Sequence, residues 1–161
     1  MDTTPIIIVD GKDNIIGHKP RCDITPDDFY RVSALWVKNS KGDILLARRA
    51  LTKKHSPGKW GPAVAGTNDK GETYTSNIIK EAEEEIGLKY HDFKELHKIR
   101  LKGRHTFFCQ WYYALIDKGI DEFTIQEEEV AEIKWFKKEE LKNELKTNPD
   151  GLLDSIKDFI N

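Results

Sequence analysis

Glu81, Glu84 and Glu85 stand close together in this sequence, with Lys80 immediately before them and Glu72 further upstream. On an α-helix each residue turns by about 100°, so with Glu81 at 0° the other two fall at about −60° and +40°, in one sector. Thr75, Ile79, Ala82 and Ile86 fall at about 100° to 160° and give the same helix an apolar face. One face packs and the other is free to bind. Glutamate is a good helix former, and most acidic helices are simply solvated. Like charges at i,i+3 and i,i+4, however, destabilise a helix by about 0.2–0.5 kcal/mol per pair, and Glu81 makes one such pair with Glu84 and another with Glu85. A divalent cation neutralises that repulsion. Carboxylate oxygens without histidine or thiolate nearby favour a hard cation, Mg²⁺ or Mn²⁺, over zinc.

The segment GTNDKGETYTSNIIKEAEEEIGL, residues 66–88, resembles the Nudix box. That box reads glycine, five residues, glutamate, seven residues, then Arg-Glu-apolar-any-Glu-Glu-any-Gly-apolar. Gly66, Glu72, Glu81, Glu84, Glu85 and Gly87 meet it, and Lys80 replaces the arginine. Six positions matched by chance at about 7% each would coincide roughly once in ten million windows. The flanks agree: NSKGDILLARRA and PGKWGPAVAG upstream, EEEVAEIKWFKKEEL downstream. The resemblance implies one Nudix domain over residues 1–161 with an α/β fold, an α/β/α sandwich on a mixed central sheet.

It also implies roles. Glu81, Glu84 and Glu85 become metal ligands, joined by the Ala65 carbonyl, with Mg²⁺ or Mn²⁺ as cofactor. Glu81 and Glu84 are catalytic candidates, and Lys80 would orient the catalytic carboxylate while pairing with Glu72. Ammonium is a point charge where guanidinium is a planar fork, so Lys80 implies a less rigid pairing. The general base is left open among Glu81, Glu84 and the acidic run Glu127, Glu128 and Glu129. The expected reaction is hydrolysis of a diphosphate linkage in a nucleoside diphosphate attached to a further group, or a related compound.

Anionic substrates need cations. Arg48 and Arg49 with Lys53, Lys54 and His55 form one basic neighbourhood; Arg100, Lys102, Arg104 and His105 form another. Arg48, Arg49 and Arg104 are the substrate-binding candidates. Phe107, Phe108, Trp111, Tyr112 and Tyr113 share one candidate strand, where core packing is the default and base stacking the alternative.

Two other readings stand beside hydrolysis. The opening IIIVDGKDNIIGHKPRCDIT and the stretch FYRVSALWVKNSKGDILLARRALTKKHSPGKWGPAVAG look like the isopentenyl-diphosphate isomerase branch. That chemistry uses a cysteine where this chain has Ala65, and histidines where it has Thr67 and Tyr30. Loss of those groups with retention of Glu84 and Glu85 implies isomerase-like architecture carrying hydrolase chemistry. A non-catalytic nucleotide-binding module is the third reading; such modules tend to lose box carboxylates, which this chain keeps.

Elements must hold these groups in place. Pro5 to Asp10 and Asn14 to His18 predict an N-terminal hairpin, about residues 5–18. Arg31 to Lys38 and Asp43 to Arg49 predict a second hairpin, and Trp60 to Gly66 a short strand. The box helix is expected from about Tyr74 to Ile86, closed by Gly87. Strands follow near Phe93 to Leu101, Thr106 to Ile116 and Glu132 to Phe136. C-terminal helices are expected at Lys138 to Leu145 and Leu152 to Phe159, within about 138–160.

Composition narrows the partners. The 161 residues suit one core of ordinary size, and a formal charge of −2 argues against nucleic-acid polymers or anionic membranes. Cys22 and Cys109 are too few for a disulfide framework or zinc site, as in a reducing cytosol. With no signal peptide and no long apolar run, a cytoplasmic location is expected. The partner expected is a small diphosphate compound, and the resemblance admits a homodimer.

Overall fold

Asp10 builds the first turn: its carboxylate accepts from the Lys12 and Asn14 amides. In the computed structural model, which describes residues 1–161, this turn joins β1 (Pro5–Val9) to β2 (Ile15–Pro20). β3 (Phe29–Lys38) and β4 (Ile44–Arg49) form the second hairpin, closed by Asn39 and Gly42.

The region from Trp60 to Gly66, expected to be one strand, is two. β5 (Trp60–Pro62) pairs with β4, whereas β6 (Val64–Thr67) pairs with β3. Pro62 lacks an amide hydrogen and cannot extend a ladder on both sides, so the chain changes partner at Ala63. This crossing brings the end of β6 under the box helix.

α1 (Tyr74–Ile86) has the expected bounds. Thr73 and Ser76 cap its N-terminus reciprocally, and Gly87, at φ 67°, ends it in a left-handed conformation. β7 (Lys94–Lys102), β8 (Thr106–Leu115) and β9 (Val130–Phe136) follow, then α2 (Lys138–Thr147) and α3 (Asp154–Ile160). The last helix starts two residues later than expected because Pro149–Gly151 makes a separate 3-10 turn.

All nine strands join one mixed sheet. β3 is its hub, antiparallel to β1, β4 and β6 and parallel to β8 from Phe29↔Thr106 to Lys38↔Leu115. Alternation along β3 sends Leu35 and Val37 to one face and Ala34 and Trp36 to the other. The first face packs on Ile78, Ala82 and Ile86 of α1. The second packs on Leu141 of α2 and Ile156 and Ile160 of α3. The result is the α/β/α sandwich expected from the sequence.

Candidate active site

β6 and α1 meet along a strand-helix contact. Ala65 lies opposite Ala34 and Gly66 opposite Ser33. Strand alternation turns Ala65 toward the α2 and α3 face, leaving Gly66 open toward α1. A Cβ on Gly66 would lie 2.4 Å from Glu81 Cγ and 2.8 Å from its Oε1. Glycine is required there because the Glu81 side chain fills that space.

The three carboxylates share a sector but not an environment. Ile78, Ala82 and Ile86 are fully buried and fall at about 60°, 100° and 140° when Glu81 is at 0°. Burial tracks the angle: Glu85, nearest that arc, is 9% exposed, Glu81 is half-buried and Glu84 is exposed. Thr75, expected on the apolar face, is exposed and hydrogen-bonds through its hydroxyl with the Tyr112 hydroxyl at 2.8 Å. Ile78 takes the buried place instead. No three His, Cys, Asp or Glu side chains close on one point, and Glu84 is the exposed member of the three.

Burial pushes Glu85 well above the ordinary carboxylate range, helped by the Glu81 and Glu129 charges and opposed by the Ala65 amide. Burial also raises Glu81, against the pull of Lys80 and with the push of Glu84. Two carboxylates that hold each other up in this way gain from a cation, which replaces protons on binding. The donors are all oxygen, and the Gly66 cradle keeps Glu81 beside the Ala65 and Gly66 backbone. The residues present therefore fit Mg²⁺ or Mn²⁺.

Lys80 stands between carboxylates, as the sequence leads one to expect, but with one more partner. Its Nζ lies 2.5 Å from Glu72, 3.2 Å from Asp69 and 3.5 Å from Glu81. The surrounding carboxylates raise its pKa despite the cost of burial. Glu72 also accepts from the Asp69 amide and the Asn77 side chain, each at 2.8 Å. Burial works against its charge, yet Lys80 and these donors hold its pKa below the usual range.

Arg48 and Arg49 line a small cavity of about 60 Å³ with Ala65, Glu85, Glu129 and Leu153. Nε of Arg48 donates to the Gly58 carbonyl and Nε of Arg49 to the His55 carbonyl, which fixes both side chains at the cavity. A larger depression of about 500 Å³ lies at the β3–β4 turn between residues 41–43 and 137–139 and contains none of these groups. Of the acidic run, Glu129 alone reaches the cavity, paired with Lys53 at 2.6 Å; Glu127 and Glu128 are exposed.

Arg104 is not brought to this place, a correction to its selection from the sequence. It precedes Thr106, which pairs with Phe29 at the start of β3, whereas Gln110 is opposite the Ser33 that faces Gly66. Thr106 and Gln110 are four residues apart, about 13 Å along the strand, and Arg104 lies beyond Thr106 in the preceding turn. Arg100 is at the same far end, its guanidinium 4.8 Å from the Phe29 ring centroid. Trp111 and Tyr112 are fully buried, and Phe107 stacks on Tyr30 at 5.5 Å.

Asp69 and Asn77 are site residues that sequence reasoning missed. Asp69 falls among the unconstrained box positions and carries no signal. Asn77 lies at about −40° on the helical wheel, beside Glu81; its amide donates to Glu72 and to the Thr67 carbonyl, joining the loop to the helix.

Comparison with known proteins gives consistent results. The family model for the NUDIX domain matches residues 29–158. The chain is 31% identical over 134 residues to the Nudix hydrolase lmo0368 of Listeria monocytogenes, covering 81% of this chain and 75% of that protein. It is 28% identical to isopentenyl-diphosphate Delta-isomerase 2 of Photorhabdus laumondii, covering 97% and 90%. Among solved structures it resembles DR0079 of Deinococcus radiodurans, with a TM-score of 0.80 at 19% identity over 97% and 96% of the two chains. A C. elegans Ap4A hydrolase shares the fold at a TM-score of 0.60 and 16% identity, over 81% and 92%.

Proposed function

The chain belongs to the NUDIX domain family, and on that premise we propose that it is a Mg²⁺- or Mn²⁺-dependent hydrolase of a diphosphate linkage, with a nucleoside diphosphate derivative as substrate. The observation that carries the proposal is the mutual support of Glu81 and Glu85 beside Gly66: two partly desolvated carboxylates with raised pKa values, next to a cavity walled by Arg48 and Arg49. When bound, the metal lowers the pKa of water and offsets charge on the phosphate oxygens.

The rest is done by the chain. Glu81, Glu84 and Glu85, with the Ala65 carbonyl, are the proposed metal ligands. Arg48 and Arg49 have their Nε atoms engaged by backbone carbonyls, so their terminal nitrogens remain to grip phosphate oxygens. Lys80 fixes the loop from Asp69 to Glu72 against the helix and keeps a positive charge 3.5 Å from Glu81. Glu129, which lines the cavity and pairs with Lys53, is the proposed acceptor of a proton from attacking water, with Glu81 and Glu84 as alternatives on the helix.

Isomerase chemistry is disfavoured despite the sequence similarity. The position before Gly66 is Ala65, and the chain's two thiols lie elsewhere: Cys22 is exposed, and burial pushes Cys109 up to about 12. A binding-only role is disfavoured by the intact Glu81, Glu84 and Glu85.

The test is a panel of nucleoside diphosphate sugars, dinucleoside polyphosphates, nucleoside triphosphates and prenyl diphosphates, assayed with Mg²⁺ or Mn²⁺. Metal-dependent release of phosphate or nucleoside monophosphate from one member is expected. Absence of turnover across the panel favours the binding module, and conversion of isopentenyl to dimethylallyl diphosphate favours the isomerase.

A further inference from the structure

The N-terminal hairpin meets Tyr74 of α1 through the apolar cluster of Ile7 and Val9 and through one buried carboxylate. Asp13, in the β1–β2 turn, has a positive φ of 66° and a side chain only 6% exposed. Arg31 Nε donates to its Oδ1 at 2.8 Å, and Arg31 Nη2 to its backbone carbonyl at 2.7 Å. The Tyr74 hydroxyl donates to Oδ2 at 2.9 Å and Lys98 Nζ to the same oxygen at 2.6 Å. The Arg31 guanidinium and Lys98 ammonium also lie over the Tyr74 ring, at 4.9 and 5.5 Å. β3, β7 and α1 thus converge on one aspartate from the hairpin.

Tyr74 is the first residue of α1 and is fixed at two points. Its hydroxyl is held by Asp13, and its carbonyl accepts from Ser33 Oγ at 2.8 Å. Ser33 is the residue opposite Gly66. Two anchors on one terminal residue restrict rotation of the helix about its axis. Rotation matters because carboxylate depth follows angle around that axis. A turn of 20° would move an atom at a radius of about 5–6 Å by roughly 2 Å, enough to take Glu85 from the Ala65 backbone and Glu81 from the Gly66 cradle.

We propose that Asp13 and Tyr74 are positioning residues for the carboxylates of α1, fixing the helix so that Glu81 and Glu85 face Ala65 and Gly66. The inference rests on the reading of α1 as the metal-binding helix. It gives the turn of the hairpin a part in the site beyond that of β1, where Pro5, Ile6 and Ile7 already meet the loop that carries Asp69.

Tyr74→Phe keeps the ring beneath Arg31 and Lys98 and removes only the hydroxyl; Asp13→Asn removes the hub's charge. Lys19→Met is the control: Lys19 is on the same hairpin, and its 2.7 Å pair with Asp28, just before β3, is broken without touching α1. Mn²⁺ binding to each full-length protein is measured by calorimetry, with thermal melting alongside. The expected result is Mn²⁺ affinity at least about fivefold weaker in Tyr74→Phe, weaker still in Asp13→Asn, and unchanged in Lys19→Met. If Asp13→Asn fails to fold, Tyr74→Phe decides. Wild-type Mn²⁺ affinity in folded Tyr74→Phe, or an equal loss in Lys19→Met, overturns the positioning role. Absence of Mn²⁺ binding by the wild-type protein overturns the metal reading itself, and the positioning role with it.

Discussion

Gly66→Ala isolates the contact on which the site is built. The φ of Gly66 is not in the left-handed region, so alanine meets no backbone penalty, and the effect is steric. The new Cβ would stand 2.4 Å from Glu81 Cγ and 2.6 Å from its Cδ, where carbon atoms settle at about 3.5–4.0 Å. More than about 1 Å must be found. Cγ is one bond from a Cβ fixed on a helix whose far side is packed by Ile78, Ala82 and Ile86, so swinging only the carboxylate cannot relieve the clash. Glu81 must change its χ1 rotamer or α1 must shift. Overpacking of this kind costs about 1–3 kcal/mol, roughly 2–12 °C in melting temperature at this chain length. The functional loss is larger in relative terms, since a misplacement of about 1 Å at a reacting centre costs on the order of a hundredfold. The assay is metal-dependent turnover of the best panel substrate together with a thermal melt. Gly42→Ala is the comparison: its φ of 85° strains alanine, but a Cβ there meets nothing within 4 Å and lies on the β3–β4 turn. It should lose stability and keep activity. Gly66→Ala with wild-type kcat/KM would refute the reasoning.

Four further outcomes follow from the same geometry. Lys80→Met leaves Glu72, Asp69 and Glu81 without their shared cation and should lower stability by about 1–3 kcal/mol, with a loss of turnover that Lys80→Arg largely restores; equal losses in both would contradict the pairing role. Glu85→Gln should raise the melting temperature of the metal-free protein at pH 8 by about 2–4 °C for each 1 kcal/mol of relieved desolvation. The sign follows because a raised folded pKa makes the native state bind more protons, so wild-type stability falls as pH rises above the unfolded value of about 4.3; a lower melting temperature for the variant in EDTA would count against it. Glu72 has the opposite sign: its depressed pKa contributes stability present above about 4.3 and lost as pH falls through the folded value, so Glu72→Gln should flatten the acid limb of a stability profile. Ile78→Ala should cost about 2–5 kcal/mol by denaturant titration, since its side chain is fully buried between α1 and the sheet.

Features set by neighbouring residues or by the motif's spacing are legible in the chain, and those set by strand register are not. The bounds of α1 follow from 3.6-residue spacing and from Gly87, both properties of adjacent residues. Of its expected apolar face, Ile79, Ala82 and Ile86 pack on the core and Thr75 does not; the sequence does not say that β6 approaches from the Glu85 side, where the structure buries Ile78. The division of residues 60–66 turned on Pro62, legible as a break, but the transfer from β4 to β3 depends on register. Arg104 was chosen for its basic neighbours, and composition carries no register: the parallel pairing of β3 with β8 puts it at the far end of the sheet. Glu72 and Lys80 were found from their motif spacing, whereas Asp69 joins them through a loop path with no signature. Asp13 had none either, since its partners Arg31, Tyr74 and Lys98 are distant in sequence.

The central claim, that the carboxylates of α1 carry metal-dependent hydrolysis, is tested most directly by one titration. Turnover of the best panel substrate is measured against Mg²⁺ concentration for the wild-type protein, Glu84→Gln and Glu85→Gln, with folding checked by melting in EDTA. The account predicts saturable Mg²⁺ dependence in the wild type and loss of most turnover in both folded variants. Full activity in both variants, or wild-type turnover indifferent to EDTA, would contradict it.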